Sequence, residues 1–274
     1  MLVLENAQYS DNYSRKISKN PLLLPEVTEM LFFRKNAALF FIFLTFSAQL
    51  FSGVNTGDNE NIPIPVISSK DPAIVPVSRT PKWWKKRHIN RLNPENNQKI
   101  IFIGDSITHG WEDSALWPLL KGIFKNKITN LGFSGDHTQH VIWRMENGEF
   151  PSGINPEYVV LMIGTNNHQK PESIAAGIGK IIKIINEKSP STKIILLSIL
   201  PCGSGNNDEN TIKNNAVNEI IKKYDGFLNV QYLNIGKYYI RNDGSLKEEL
   251  FSDRLHLSLE GYKIWMVKLL EIIK

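Results

Sequence analysis

The stretch IIFIGDSITHGW, Ile100 to Trp111, decides how the rest of the chain is read. A continuous apolar run stops at Gly104, and the short polar residues Asp105, Ser106 and Thr108 follow within four positions. Apolar residues without alternation suit a strand buried on both faces, as in a parallel sheet. Asp and Ser directly after such a strand are ordinary helix caps, so Ser106 is either a turn residue or a nucleophile. A nucleophilic serine needs partners, and those must lie elsewhere in the chain.

Similar strands recur downstream. KITNLG (Lys127 to Gly132), YVVLMIG (Tyr158 to Gly164), KIILLSIL (Lys193 to Leu200) and LNVQYLN (Leu228 to Asn234) join KIIFIG (Lys99 to Gly104) to make five. Helical patterns lie between them: HTQHVIWRMENGE from His137, PESIAAGIGKIIKIINEKS from Pro171, and NTIKNNAVNEIIKKYD from Asn210. SLEGYKIWMVKLLEIIK, with Ser258 as its cap, closes the chain. In the helix from Pro171, the residues Ile174, Ile178, Ile181, Ile182 and Ile185 share one face. Strand and helix alternate, which predicts a doubly wound parallel sheet in one domain. In such sheets ligands bind beyond the carboxyl ends of the strands. Gly104, Gly132 and Gly164 each end a strand and lead into polar residues, so three polar loops converge on one edge.

The loops and one later motif complement one another. GDSITHG carries Ser106 at a strand-to-helix turn, where helix-start amides favour an anion. GFSGDHT carries Gly135, which lets a backbone N–H come close to a ligand. GTNN carries Asn166, a side-chain amide donor, with Asn167 beside it as the alternative. DRLHLS places Asp253 three residues before His256. Each motif alone is a turn. Together they supply a nucleophile, a base, an orienter for the base and oxyanion donors, the set that acyl transfer requires.

The ordered blocks GDS, SGD, GTNN and DRLH resemble those of the SGNH (GDSL-type) hydrolase superfamily, from about Trp83 to the C-terminus. NLGFSGDHTQHVIWRMENGE, LMIGTNNH and LPCGSG are most similar to the branch of platelet-activating-factor acetylhydrolase catalytic subunits and bacterial relatives. The resemblance implies a three-layer α/β/α fold on a flavodoxin-like five-stranded parallel sheet. It also implies a carboxylic ester hydrolase with Ser106 as nucleophile, His256 as general base and acid, and Asp253 as its orienter. The amides of Ser106 and Gly135, with the Asn166 side chain, are implied as the oxyanion hole. Asp105 is expected to order the loop. No metal or cofactor is implied.

Other candidates are weaker. His137 and His140 lie three apart without a third ligand nearby and are read as structural. Cys202 follows the fourth strand and is read as a pocket-rim residue. Trp83 and Trp84, among basic residues, are expected to brace the domain, with a sugar-stacking or membrane-touching platform as the alternative. Phe133, Leu200, Leu255 and Leu257 are the few apolar residues flanking the motifs and are expected to wall a short acyl pocket.

The bounds on function are broad. The chain has 274 residues, a net charge of +5 and one cysteine. A hydrophobic share of 42% and mean hydropathy of −0.22 describe a globular protein with an ample core. The lysines are scattered, which argues against a nucleic-acid footprint. Residues 1–52 form an N-terminal extension. Its apolar run up to Phe51, preceded by Arg34 and Lys35, has the length of an export-signal core, with translation starting at Met30. An uncleaved membrane anchor over Ala37 to Phe51 is the alternative, and the only membrane contact expected. Residues 53–82, rich in Pro, Asn and Ser, read as a linker or surface-hugging arm, and residues 83–274 as the hydrolase domain. The expected activity is hydrolysis of short acyl esters by an exported protein, carbohydrate O-acetyl groups first, with phospholipid acetylhydrolase or lysophospholipase-like activity as the alternative. Acyl transfer to a sugar uses the same residues. A non-catalytic carbohydrate- or partner-binding module is the reading of another class, and a homodimer is compatible with all of these.

Overall fold

The computed structural model describes residues 61–95 and 97–273. The export segment over Ala37 to Phe51 and the start at Met30 lie outside the described residues. Five parallel strands form one sheet: β1 (Ile100–Gly104), β2 (Ile128–Gly132), β3 (Tyr158–Met162), β4 (Lys193–Leu197) and β5 (Val230–Leu233), in the order β2-β1-β3-β4-β5. That is the flavodoxin-like order, and its switch point falls between β1 and β3. The helices are α1 (Lys82–Asn90), α2 (Ser106–His109), α3 (Trp117–Ile123), α4 (Thr138–Arg144), α5 (Pro171–Lys188), α6 (Glu209–Ile221) and α7 (Leu259–Ile272).

Period-two alternation sorts the sheet's side chains into two cores. Ile101, Ile103, Val159, Leu161, Ile194 and Leu196 face a cluster that includes Val141 and Ile142 of α4, Ile178 and Ile182 of α5, and Val217 of α6. On the other face Phe102 meets Trp111, Trp117 and Trp265, at ring-centroid distances of 6.2, 6.0 and 6.4 Å. The result is three layers. The segment between β1 and β2 showed no helical period in the sequence but contains α2 and α3, both too short to express one. The helical pattern from His137 ends earlier than its apolar residues suggest. After Arg144 it widens into a π-helical turn, Met145–Glu149, broken where Gly148 takes φ +102°.

Register sets the level of the site. Gly104 pairs with Gly132 on one side and with Met162 on the other, so β1, β2 and β3 release their loops side by side. Gly104 is required by close approach: a Cβ there would overlap the Thr108 hydroxyl and the Met162 carbonyl oxygen.

Over 61–81 the chain is the arm rather than a free linker. Ile62 joins the core cluster and Ile64 packs beside Gly179 of α5. Ser173 donates to Asp71 at 2.6 Å, Lys180 to the Ile74 carbonyl at 3.0 Å, and Thr138 to the Ala73 carbonyl at 2.8 Å. The arm thus follows α5, crosses α4 and reaches the loop after β2, where Arg79 meets Ser134.

Candidate active site

Ser106 is the first residue of α2, directly beyond β1. Its Oγ lies 2.9 Å from His256 Nε2, and His256 Nδ1 lies 2.7 Å from Asp253 Oδ2. Residues 150 positions apart in the chain are therefore joined in one hydrogen-bonded line. An imidazole held in this way can take the serine proton on one nitrogen while the carboxylate fixes the tautomer on the other.

The turn that carries His256 is locally built. Asp253 Oδ1 accepts the N–H groups of Leu255 and His256 at 3.1 and 2.7 Å, and Arg254 between them sits in the left-handed region at φ +62°. An L-residue there costs about 1–2 kcal/mol, which the two amide bonds to one carboxylate oppose. Burial alone would raise the Asp253 carboxyl. The His256 ring and the two backbone amides outweigh it and hold the group below the usual carboxylate range.

Asn166 follows β3 and donates from Nδ2 to the Asp136 carbonyl at 3.0 Å, tying the third loop to the second. Asn167, its sequence alternative, is buried. It accepts the Thr138 N–H at 3.0 Å and donates to Gln169 at 2.9 Å, a structural role. Gly135 takes φ +74°, a conformation that glycine adopts without penalty.

Two recesses flank the serine–histidine–aspartate line. One, of about 440 Å³, is lined by Ser106, His109, Asp113, Ser134, His256 and Leu257 among others. The other, of about 490 Å³, is lined by Gly135, His137, Asn166, His168, Asp253 and Leu255 among others. Ala115, Leu259 and Tyr262 also line the first, so polar and apolar groups share the walls of both. Cys202 lies at the rim of the second, largely buried, and burial raises its thiol pKa. Of the four expected acyl-wall residues, Leu257 lines the first recess and Leu255 the second. Phe133 and Leu200 do not contribute, because both are in the core. Phe133 is the first residue after β2 and points inward, between the guanidinium groups of Arg144 at 3.9 Å and Arg87 at 5.1 Å.

The histidine pair has a structural task. His137 caps α4, and its N–H donates to His140 Nδ1 at 2.9 Å, which requires an unprotonated Nδ1. Burial pushes His137 down to about 4 and His140 down to about 3, so both are neutral at pH 7. The tryptophans divide. Trp84 is buried against Phe133 and Trp143 and donates to Asp136 at 2.7 Å, which makes it the brace. Trp83 is 44% exposed beside the His109 ring, so it does not brace the core.

Behind the second loop lies a charged network whose extent sequence reading missed. Asp136 Oδ2 accepts from Arg144 Nε at 2.9 Å, Arg144 also pairs with Glu149, and Glu149 meets His88 at 2.7 Å. Asp, Arg and Glu at the spacing DxxxxxxxRxxxxE carried a hint, but the partners from α1 did not.

Asp105 orders its loop, as expected. It is fully buried, and Oδ1 accepts the Ile107 N–H at 3.0 Å. Burial, partly countered by that bond, pushes its carboxyl up to about 7 from 3.8. Between those values the folded chain keeps a proton that the unfolded chain has lost, so stability falls as pH rises through this window. Asp105→Asn keeps the acceptor and removes the titration. Its advantage over the parent in unfolding free energy should therefore grow from pH 4 to 7 and then level off, at most by about 4 kcal/mol. Calorimetry at a series of pH values checks this, and an offset independent of pH would refute it.

Comparison with known proteins gives the family and the fold. The model of the GDSL-like Lipase/Acylhydrolase family matches residues 102–264. The chain belongs to that family. The platelet-activating factor acetylhydrolase IB subunit alpha1 of Homo sapiens is 32% identical over 198 residues, covering 71% of this chain and 84% of the relative. Among solved structures, a GDSL-like lipase from Bacteroides thetaiotaomicron superposes with a TM-score of 0.58 at 20% identity, covering 70% of this chain and 96% of that one. An acetyl xylan esterase superposes with a TM-score of 0.53 at 21% identity, covering 64% and 99%. These structural likenesses establish the three-layer fold. Family membership makes this GDSL acylhydrolase a carboxylic ester hydrolase.

Proposed function

We propose that the protein is a serine esterase that removes short acyl groups, acetyl first, from carbohydrate esters. The hydrogen-bonded line Ser106–His256–Asp253, opening between two recesses of mixed polar and apolar lining, carries this reading. Ser106 attacks the ester carbonyl as His256 Nε2 takes its proton. The oxyanion forms against the Ser106 and Gly135 amides and the Asn166 side chain. His256 then protonates the leaving alcohol, and water repeats the sequence to free the acid. Asp253 stabilises the imidazolium throughout.

The walls support a short acyl group. Each buried CH₂ is worth about 0.8 kcal/mol, but only where apolar surface receives it. With Phe133 and Leu200 withdrawn into the core, Leu255 remains in one recess and Leu257, with Leu259 and Ala115, in the other, enough for a few carbons. Two of the three relatives named above carry the acetyl group in their names. On p-nitrophenyl esters, kcat/KM should peak at about two to four acyl carbons and fall beyond. A maximum at eight or more would instead indicate a lipase-like site.

The human relative favours a second reading, an acetyl ester on a phospholipid. Acetate release from acetylated xylooligosaccharides and from a 2-acetyl phospholipid, each with Ser106→Ala as control, separates the two. Faster turnover of the phospholipid would overturn the carbohydrate assignment, and release unaffected by Ser106→Ala would overturn the mechanism.

A further inference from the structure

The peptide joining Ser134 to Gly135 is planar and trans, so its carbonyl and its N–H point in opposite directions. Among the described residues the Gly135 N–H donates to no protein acceptor. The Ser134 carbonyl, at the other end of the same peptide, accepts from Arg79 Nη1 at 2.6 Å. The guanidinium lies against Gly135 itself: a Cβ there would stand 3.1 Å from both Nη atoms.

The neighbouring residue is held independently. Asp136 N–H donates to the Phe133 carbonyl at 3.1 Å, and its carbonyl accepts from Asn166 at 3.0 Å. Its buried carboxylate accepts from Trp84 and Arg144, with Arg79 Nη1 at 3.3 Å. With residue 136 fixed, the soft motion left to this loop is rotation of the 134–135 peptide, which would turn the Gly135 N–H away. Arg79 sits on the carbonyl that such a rotation must carry with it.

We propose that Arg79, in the arm and outside the residues matched to the family, is a positioning residue for the oxyanion site. It fixes the plane of the 134–135 peptide. Its charge also polarises that peptide, because a cation on the carbonyl oxygen makes the opposite N–H a better donor. The benefit is largest when a full negative charge develops on the substrate oxygen, so it favours the transition state over the bound ester. The inference rests on the esterase reading, with Gly135 as an oxyanion donor.

The test compares Arg79→Ala, Arg79→Lys and the parent on p-nitrophenyl acetate, with inhibition by 1,1,1-trifluoroacetone, whose adduct with a serine carries an oxyanion. Arg79→Ala should lose about 10–100-fold in kcat, less than a direct donor's loss, with KM within about twofold. The ketone's inhibition constant should rise by the same factor. Arg79→Lys should fall between, and millimolar guanidinium should restore part of the alanine variant's kcat. Should the alanine variant not fold, Arg79→Lys and Arg79→Gln carry the same comparison. A kcat within twofold of the parent, or a lowered kcat with unchanged ketone affinity, would overturn the proposal. A parent no more active than Ser106→Ala would instead overturn the esterase reading itself.

Discussion

Ser106→Ala should lower esterase turnover by about 10⁴–10⁶, His256→Ala by a similar factor, and the double variant by no more than either single one. The reason is the single hydrogen-bonded line through Ser106 Oγ, His256 Nε2 and Asp253 Oδ2. Without the imidazole, the serine hydroxyl keeps its ordinary high pKa and attacks slowly. Without the hydroxyl, the imidazole has no proton to take. Once one member is gone, the other contributes nothing further, so the losses do not add. Single-turnover measurements on p-nitrophenyl acetate check this, and a double variant hundreds of times worse than both singles would show that the two residues act separately.

Asn166→Ala should lower kcat by about 10²–10³ while KM changes little. Asn166 spends one amide contact on the Asp136 carbonyl, and this holds its side chain at the lip of the recess lined by Gly135 and Asp253. A donor already oriented needs no reorganisation when the oxyanion forms, and its loss is felt in the chemical step. Asn167→Ala is the contrasting variant. Asn167 is buried among Thr138, Gln139 and Gln169, so its removal should lower the melting temperature and leave kcat within a few-fold of the parent. Equal kcat losses in the two variants would show that the asparagines had been assigned the wrong way round.

Much of this arrangement was legible in the sequence because each part lies in a short motif at a strand end. Uninterrupted apolar runs ending in Gly104, Gly132 and Gly164 specify buried parallel strands and the edge from which the loops leave. Asp253 and His256 are three residues apart, so their meeting is local. Side-chain direction was less legible. Phe133 and Leu200 neighbour the motifs yet turn into the core, and proximity in sequence does not say which face of a pleat a residue takes. Trp83 and Trp84 differ only by the ~100° that one residue turns a helix, and α1 had no apolar period to say which of them faces inward. Arg79 was invisible for another reason: its partners Ser134 and Asp136 are 55 and 57 positions away, and nothing in a Pro-rich arm marks one arginine as special.

The turn bearing Asp253 and His256 has a consequence for inactivation. Ser106, Gly135 and Asn166 follow strands of the sheet, whose melting is the melting of the protein. His256 instead belongs to a short surface turn, closed by the Ser252 N–H to the His256 carbonyl at 2.8 Å and by the Gly203 N–H to the Arg254 carbonyl at 2.9 Å. The Asp253 side chain there is 54% exposed. Segments with few buried contacts open at free energies well below the global value. Two thermal thresholds are therefore expected, the loss of esterase activity and, above it, the melting of the sheet. On gentle warming the histidine half of the machinery should disengage first and re-engage on cooling, leaving a folded, reversibly silent protein several degrees before the sheet gives way. Activity lost only together with the circular-dichroism melt would refute this.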